Sequence, residues 1–196
     1  IIHYGREFFA PAVEIPDVKE ATAYGLRVLA SEDNTEVICE DLTVELQAGE
    51  TQKLDFSWND EATMVLCSKD CLLLQYSLVQ SDENHGNYLY DVIPTDHFYK
   101  AAYFSTDDYP GNQHYVSIMA SGLPPNFDIL LDGVSLGEKT WKFSRNYSYI
   151  DIYLGEGQHY VETTGDKTFA VYVFCHTPAA DGTTEGAYGY SIWPQG

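Results

Sequence analysis

Tyr149-Ile150-Asp151-Ile152-Tyr153-Leu154 decides the fold class. Successive side chains of an extended chain point to opposite faces, so this alternation sets an apolar face against a core and a more polar face outward. Thr43-Val44-Glu45-Leu46 and Gln52-Lys53-Leu54-Asp55-Phe56 repeat the pattern. Leu72-Leu73-Leu74-Gln75-Tyr76 and Phe169-Ala170-Val171-Tyr172-Val173-Phe174 are short runs of strand formers, read as central strands covered on both faces. Asp132-Gly133 predicts a hairpin turn, because glycine tolerates positive φ. No long stretch carries helical periodicity, and any helix is confined to a turn or two near Pro94-Thr95-Asp96-His97-Phe98-Tyr99. About a dozen strands at this spacing predict an all-β protein built from β-sandwiches of jelly-roll or immunoglobulin-like type.

The chain also reads as two diverged copies of one unit. Leu26 to Ser31 leads through a polar turn into Thr35 to Glu40, and Tyr115 to Ser121 leads likewise into Asp128 to Gly133. Each copy continues to a small acidic turn, Ala48-Gly49-Glu50 or Gly155-Glu156-Gly157, and ends on a strand pair around a Lys/Asp turn, Met64 to Tyr76 or Tyr160 to Phe174. A gap of roughly ten residues between turn and strand pair fits one extra hairpin. The expected organisation is a first sandwich half over 1–80, an ordered crossover over 81–111 and a second half over 112–196, packed as one unit. The crossover is rich in Asp, Asn and Tyr, and Tyr99 to Phe104 within it can form a strand.

With 196 residues and 44% hydrophobic content the chain can bury a sizeable core. Its formal charge of −20 argues against nucleic acid and anionic membrane as general partners. Acidic clusters at Ser31-Glu32-Asp33-Asn34, Asn59-Asp60-Glu61, Ser81-Asp82-Glu83-Asn84 and Asp107-Asp108 fall where turns are expected, and read as solvated loops. The sequence begins at Ile1 and holds no apolar run of spanning length, so a fragment or mature piece of a larger protein is expected, with no membrane insertion.

Four cysteines allow three pairings. Cys67 and Cys71 flank Ser68-Lys69-Asp70 at the predicted turn and are the favoured bridge; Cys39 with Cys175 is the second, with buried free thiols as the alternative for that pair. No second close pair or His-x-x-x-His follows, so no zinc site is expected. Asn146-Tyr147-Ser148 is a glycosylation sequon that acquires meaning in a secreted chain.

Several segments carry a resemblance in the right order along nearly the whole chain. They are Gly5-Arg6-Glu7-Phe8, Val28 to Thr35, Leu46 to Glu50, Leu72 to Tyr76, Tyr115 to Ile118, Leu131-Asp132-Gly133, and Gly157-Gln158-His159 leading to Phe169 to Val173. Tyr188-Gly189-Tyr190 with Pro194 and Gly196 closes the series. The chain thereby resembles the IgGFc-binding protein N-terminal domain family. The resemblance implies an extracellular module at the head of large secreted, mucus-associated or matrix proteins, with neither catalysis nor cofactor. The chain departs from the pattern in its cysteines, in Ser191-Ile192-Trp193 within the closing motif and in its acidity. No short family motif carries Fc binding, so none is transferred to these residues.

Other motifs yield to plainer readings. Gly133-Val134-Ser135-Leu136-Gly137 fits the hydrolase Gly-x-Ser-x-Gly, but that chemistry needs a strand-to-helix elbow. Here an Asp-Gly turn precedes the serine, and Glu138 to Phe143 alternates like a strand. Asp96-His97, His159 and His176 share no spacing that would mark a base. Asp107-Asp108 with Asn112 or Asp91 could gather oxygens for calcium, without an EF-hand rhythm.

Tyrosines are the more distinctive resource. Tyr88, Tyr90, Tyr99, Tyr103 and Tyr109 cluster in the crossover, where a ring can pack or face a partner. The expected function is a non-catalytic extracellular adhesion or structural module whose partners are copies of itself or neighbouring domains. The alternative is a recognition module for a free glycoprotein such as immunoglobulin, a glycan or a microbial surface. An enzyme would require acid, base and nucleophile to converge around Ser135 or His97.

Overall fold

The computed structural model describes residues 4–12, 24–56, 62–77, 88–122, 128–137, 139–178 and 184–192. Outside them lie the acidic clusters Asn59-Asp60-Glu61 and Ser81-Asp82-Glu83-Asn84, where turns are expected, the expected boundary at 80/81, and Trp193 to Gly196. The described residues form strands joined by turns, with one 3-10 turn at Thr95–His97 where a short helix was expected. The chain divides into two compact units, with the change between His97 and Phe98. Of the described crossover residues, 88–97 therefore belong to the first unit and 98–111 to the second.

The first unit holds β1 (Gly5–Ala10), β2 (Tyr24–Ala30), β3 (Thr35–Cys39), β4 (Leu42–Leu46), β5 (Thr51–Phe56), β6 (Thr63–Ser77) and β7 (Leu89–Asp91). All seven join one antiparallel sheet organised on β6. Met64 to Tyr76 is thus one long strand, and the expected Ser68-Lys69-Asp70 turn is instead a bulge inside it. Gly5 faces Cys71 while Glu7 already faces Leu66, so three more residues pass on β6 than on β1. The flanking ladders hold the bulge in place: β3 pairs with Val65 to Cys67, and β2 with Cys71 to Ser77. A bulge of this kind bends a strand and raises its twist, letting its two halves serve different layers.

The second unit holds β8 (Ala101–Thr106), β9 (Gln113–Ser121), β10 (Ile129–Leu131), β11 (Val134–Ser135), β12 (Lys142–Ser144), β13 (Tyr147–Leu154), β14 (Gly157–Thr163), β15 (Phe169–Pro178) and β16 (Thr184–Ile192). They form two sheets, ordered β11-β10-β14-β8 and β12-β13-β9-β15-β16. β8 alternates strictly, with Ala102, Phe104 and Thr106 buried and Ala101, Tyr103 and Ser105 exposed. Phe169 to Phe174 is buried throughout, as expected of a central strand. Asp132 and Gly133 take φ of 53° and 78°, the left-handed pair that closes the β10–β11 hairpin.

Ladder by ladder, the two units match. β1 pairs with the front half of β6 as β8 pairs with β14; β3 joins β4 and that half as β10 joins β11 and β14. On the other layer β2 lies between β5 and the back half of β6 as β9 lies between β13 and β15, and β7 closes the edge as β16 does. The duplicated β-sandwich is therefore written in the hydrogen bonding. Two details differ from the sequence alignment. Ala48-Gly49-Glu50 joins β4 to β5, whereas Gly155-Glu156 joins β13 to β14, so these turns are not equivalent. The added strand, β12 at Lys142–Ser144, lies before β13 and shares only Lys142 and Phe143 with the predicted Glu138–Phe143 strand.

Buried tyrosines tie each unit together. The Tyr24 hydroxyl is 2.6 Å from Thr63 Oγ1; in the second unit the Tyr99 hydroxyl donates to Ile192 O at 2.6 Å and accepts from Val171 N at 2.9 Å. Burial pushes the Tyr24 phenol up to about 12 and also raises Tyr88 and Tyr99. The folded state keeps these protons after the unfolded chain would lose them, so their stabilisation is complete below about pH 10 and disappears as pH climbs through the raised values. In an alkaline titration, part of the phenolate absorbance is expected to rise only together with loss of the β-sheet circular dichroism. Full ionisation with the sheet signal intact would contradict this.

Candidate functional site

The five crossover tyrosines separate by exposure. Tyr88 and Tyr90 are buried and stack at 5.7 Å in the first unit, and Tyr99 is buried against Phe169 in the second. These three are packing residues. Tyr103 and Tyr109 are 66% and 67% exposed.

Tyr103 does not stand alone. It lies on the outer face of β8, in register with Tyr160 on β14, and the rings stack at 4.2 Å with 24° between planes. The Tyr160 hydroxyl donates to Glu162 Oε2 at 2.9 Å, which holds its proton and pushes the phenol up to about 12. β8 is an edge strand of its sheet, so the ring pair sits beside a sheet border. A stacked, hydrogen-bonded aromatic pair loses little rotamer freedom on binding, an advantage at an interface. Sequence reading found Tyr103 but missed Tyr160; only the β8–β14 register joins them.

The exposed Tyr109 belongs to the loop between β8 and β9, which Asp107 organises. Asp107 Oδ1 accepts from Tyr109 N at 3.1 Å and Asn112 Nδ2 at 2.7 Å, and Oδ2 accepts from the Tyr188 hydroxyl. The Tyr188 bond chiefly, aided by Asn112 and Tyr109 N–H, holds the Asp107 carboxyl below its ordinary value. Thr177 donates to Asn112 Oδ1, so the amide turns its nitrogen toward Asp107. Asn112 is therefore not an oxygen donor on the Asp107 side, as the calcium arrangement would need.

The four cysteines are buried and none is joined in a disulfide in this structure, so neither expected bridge is seen. Cys39 lies in the first unit and Cys175 in the second. Cys67 and Cys71, at the two ends of the bulge, share a thiol hydrogen bond that raises Cys67 and lowers Cys71. Asn146 is exposed in the β12–β13 turn, while the sequon's Ser148 is buried and donates to Gly122 O at 2.9 Å. Beside that turn, Ser121, Gly122, Asn146, Tyr147 and Lys167 line a shallow cleft of about 380 Å³.

Catalytic constellations are weaker. Ser135 sits on an exposed hairpin strand and donates to Asp128 Oδ1. His159 resembles a charge-paired base: Nδ1 is 2.8 Å from Asp132 Oδ2 and Nε2 is 3.3 Å from Thr106 Oγ1. Thr106, however, is buried and already donates to Gly155 O at 2.9 Å. That Asp–His–Thr chain clamps the Gly155–Gly157 turn onto the β10–β11 hairpin.

Against this geometry, the family model described as IgGFc binding protein matches residues 1–175. The chain belongs to the IgGFc binding protein family. In this family member the match covers the first unit and β8 to most of β15, ending at Cys175, so β16 with Tyr188 and Tyr190 lies beyond the matched stretch. Both Tyr103 and Tyr160 fall within it.

No curated protein matches the chain. Among solved structures, the apo lectin of Pleurotus ostreatus aligns over 100% of this chain and 76% of its own at 8% identity, with a TM-score of 0.26. An anti-sigma factor domain-containing protein aligns over 92% and 80%, also at 8% identity, with a TM-score of 0.24. Scores this low carry no argument about this family member. No helix among the described residues is long and apolar enough to cross a membrane.

Proposed function

We propose that this chain is a non-catalytic extracellular module that acts through protein–protein contacts, with the Tyr103–Tyr160 face of β8 and β14 as its contact surface. The observation that carries the reading is a stacked tyrosine pair at a sheet edge, with Tyr103 exposed and the half-buried Tyr160 fixed by Glu162. Tyrosines of this kind recur among the residues that dominate binding energy at interfaces. Membership in a family described by Fc binding supports a binding role. The partners are copies of the chain or neighbouring domains of a larger secreted assembly, and the −20 charge keeps other surfaces apart and soluble.

A second reading, recognition of a free glycoprotein or glycan, is favoured by the cleft at Lys167. A Cβ at Gly122, whose φ is +103°, would meet Lys167 Nζ at 3.1 Å, so the glycine leaves room for the ammonium at the cleft floor. A volume of several hundred Å³ suits a small ligand group.

The test immobilises the chain and measures binding of the chain itself and of immunoglobulin Fc, for wild type, Tyr103→Ala and Tyr160→Ala. Self-association is expected to weaken about 30-fold in either variant, the equivalent of about 2 kcal/mol, with an unchanged melting temperature. Undiminished self-association would sink the proposed surface. Fc binding that survives both substitutions but fails in Lys167→Ala would make the cleft the functional site.

A further inference from the structure

Asp107 and His114, seven residues apart, meet the distant Cys175 at one end of the second unit. Asp107 directly follows β8, His114 lies near the start of β9, and Cys175 lies in β15 directly across the ladder from His114. One ligand atom of each lies within 4.8 Å of the other two. Tyr188 on β16 faces Cys175 in register and places its hydroxyl on Asp107. The row Tyr188–Cys175–His114 thus crosses three strands, with Asp107 closing over it.

We propose that Asp107, His114 and Cys175 form a site for a divalent transition-metal ion of the zinc class, with Tyr188 orienting the carboxylate and the sulfur.

Donor chemistry selects the ion. A carboxylate oxygen, an imidazole nitrogen and a thiolate suit zinc or its close neighbours, whereas calcium and magnesium take oxygen shells. Three protein ligands leave a fourth tetrahedral position for water or the Tyr188 oxygen.

A second observation concerns His114 itself. The ring is 3% exposed, and its Nε2 lies 3.1 Å from Asp107 O and 3.7 Å from Asp107 Oδ1. Its Nδ1 is buried and has no hydrogen-bond partner among the described residues. A carbonyl can only accept, so the backbone contact fixes the proton on Nε2 and leaves Nδ1 as a bare lone pair. A buried, unpaired ring nitrogen is costly unless something coordinates it, and a backbone carbonyl on the other nitrogen is the usual way a metal-binding imidazole is oriented. Asp107 also has capacity to spare. Tyr109 N–H, Asn112 and Tyr188 use three of the roughly four lone-pair directions of a carboxylate.

Binding costs one proton at sulfur: the Cys175 S–H bond breaks, the proton leaves to solvent, and the sulfur pair forms the metal bond. No change of oxidation state is involved.

Cobalt(II) is the probe, titrated into the whole metal-free chain. The expected result is one ion per chain with a thiolate-to-cobalt charge-transfer band, displaced stoichiometrically by zinc. Cys175→Ser is expected to abolish the band, Asp107→Asn to weaken cobalt binding at least tenfold, and Tyr188→Phe to weaken it about tenfold. Circular dichroism of the metal-free variants checks folding. Should Cys175→Ser unfold, Asp107→Asn decides, since its carboxylate is partly exposed. No band in the wild type, or a band kept in Cys175→Ser and lost when Cys67 and Cys71 are both serine, would overturn the site. Failure of the Tyr103–Tyr160 surface leaves this result unaffected, because the two share no residue.

Discussion

Phe169→Ala is expected to destabilise the second unit by about 3–5 kcal/mol, the range for emptying a well-packed buried aromatic site. Phe169 has no exposed surface and begins the fully buried run of β15. Its backbone exchanges hydrogen bonds with Tyr99, N to O at 2.8 Å in each direction, and its ring meets the Tyr99 ring edge-on at 5.2 Å. Truncation removes the contact that positions Tyr99, whose hydroxyl ties Val171 N to Ile192 O. The loss therefore reaches both neighbours of the Phe169 side chain, the β15 ladder and the β16 end. Thermal unfolding followed by circular dichroism should show a transition lowered on the order of 15–30 °C. Tyr99→Phe, which keeps the ring and strands the Val171 N–H, should cost less, about 1–3 kcal/mol. If Phe169→Ala costs under about 1 kcal/mol, β15 is not the core strand described here.

Gly5→Ala is expected to destabilise the first unit by about 1–3 kcal/mol, although it adds a single methyl group. A Cβ at Gly5 would overlap the Cβ and Cγ of Pro94. The proline ring cannot rotate away, because Pro94 forms a bridge to Phe8 and its carbonyl accepts from His97 N at 2.9 Å. Relief must therefore come from the backbone of β1 or of the segment before the 3-10 turn. Pro94→Gly removes the obstructing atoms, at its own cost in unfolded-chain entropy. The double variant Gly5→Ala/Pro94→Gly should then recover at least about 1 kcal/mol relative to the sum of the single changes. Strict additivity would show that the close approach is not what excludes a side chain at Gly5.

The legibility of the candidate sites follows the same division between local and distant information. Asp132-Gly133 announced its hairpin because positive φ is a property of two residues. Tyr103 was named from composition, but Tyr99 and Tyr103, four residues apart, were indistinguishable until β8 acquired a register and a buried face. Ser68-Lys69-Asp70 read as a turn because three polar residues between apolar runs usually are one. They stay in a strand because β2 and β3 hold the residues on either side.

By itself the sequence determined the β class, the duplication and the family, since each rests on periodicity or on the order of short motifs along the chain. Tertiary structure alone decided three things: which tyrosines pack and which face outward, the stacking of Tyr103 on Tyr160, and the meeting of Asp107, His114 and Cys175. The physical reason is that strand pairing joins residues by register rather than by spacing. His114 and Cys175 lie 61 positions apart in the chain and directly opposite each other in the β9–β15 ladder.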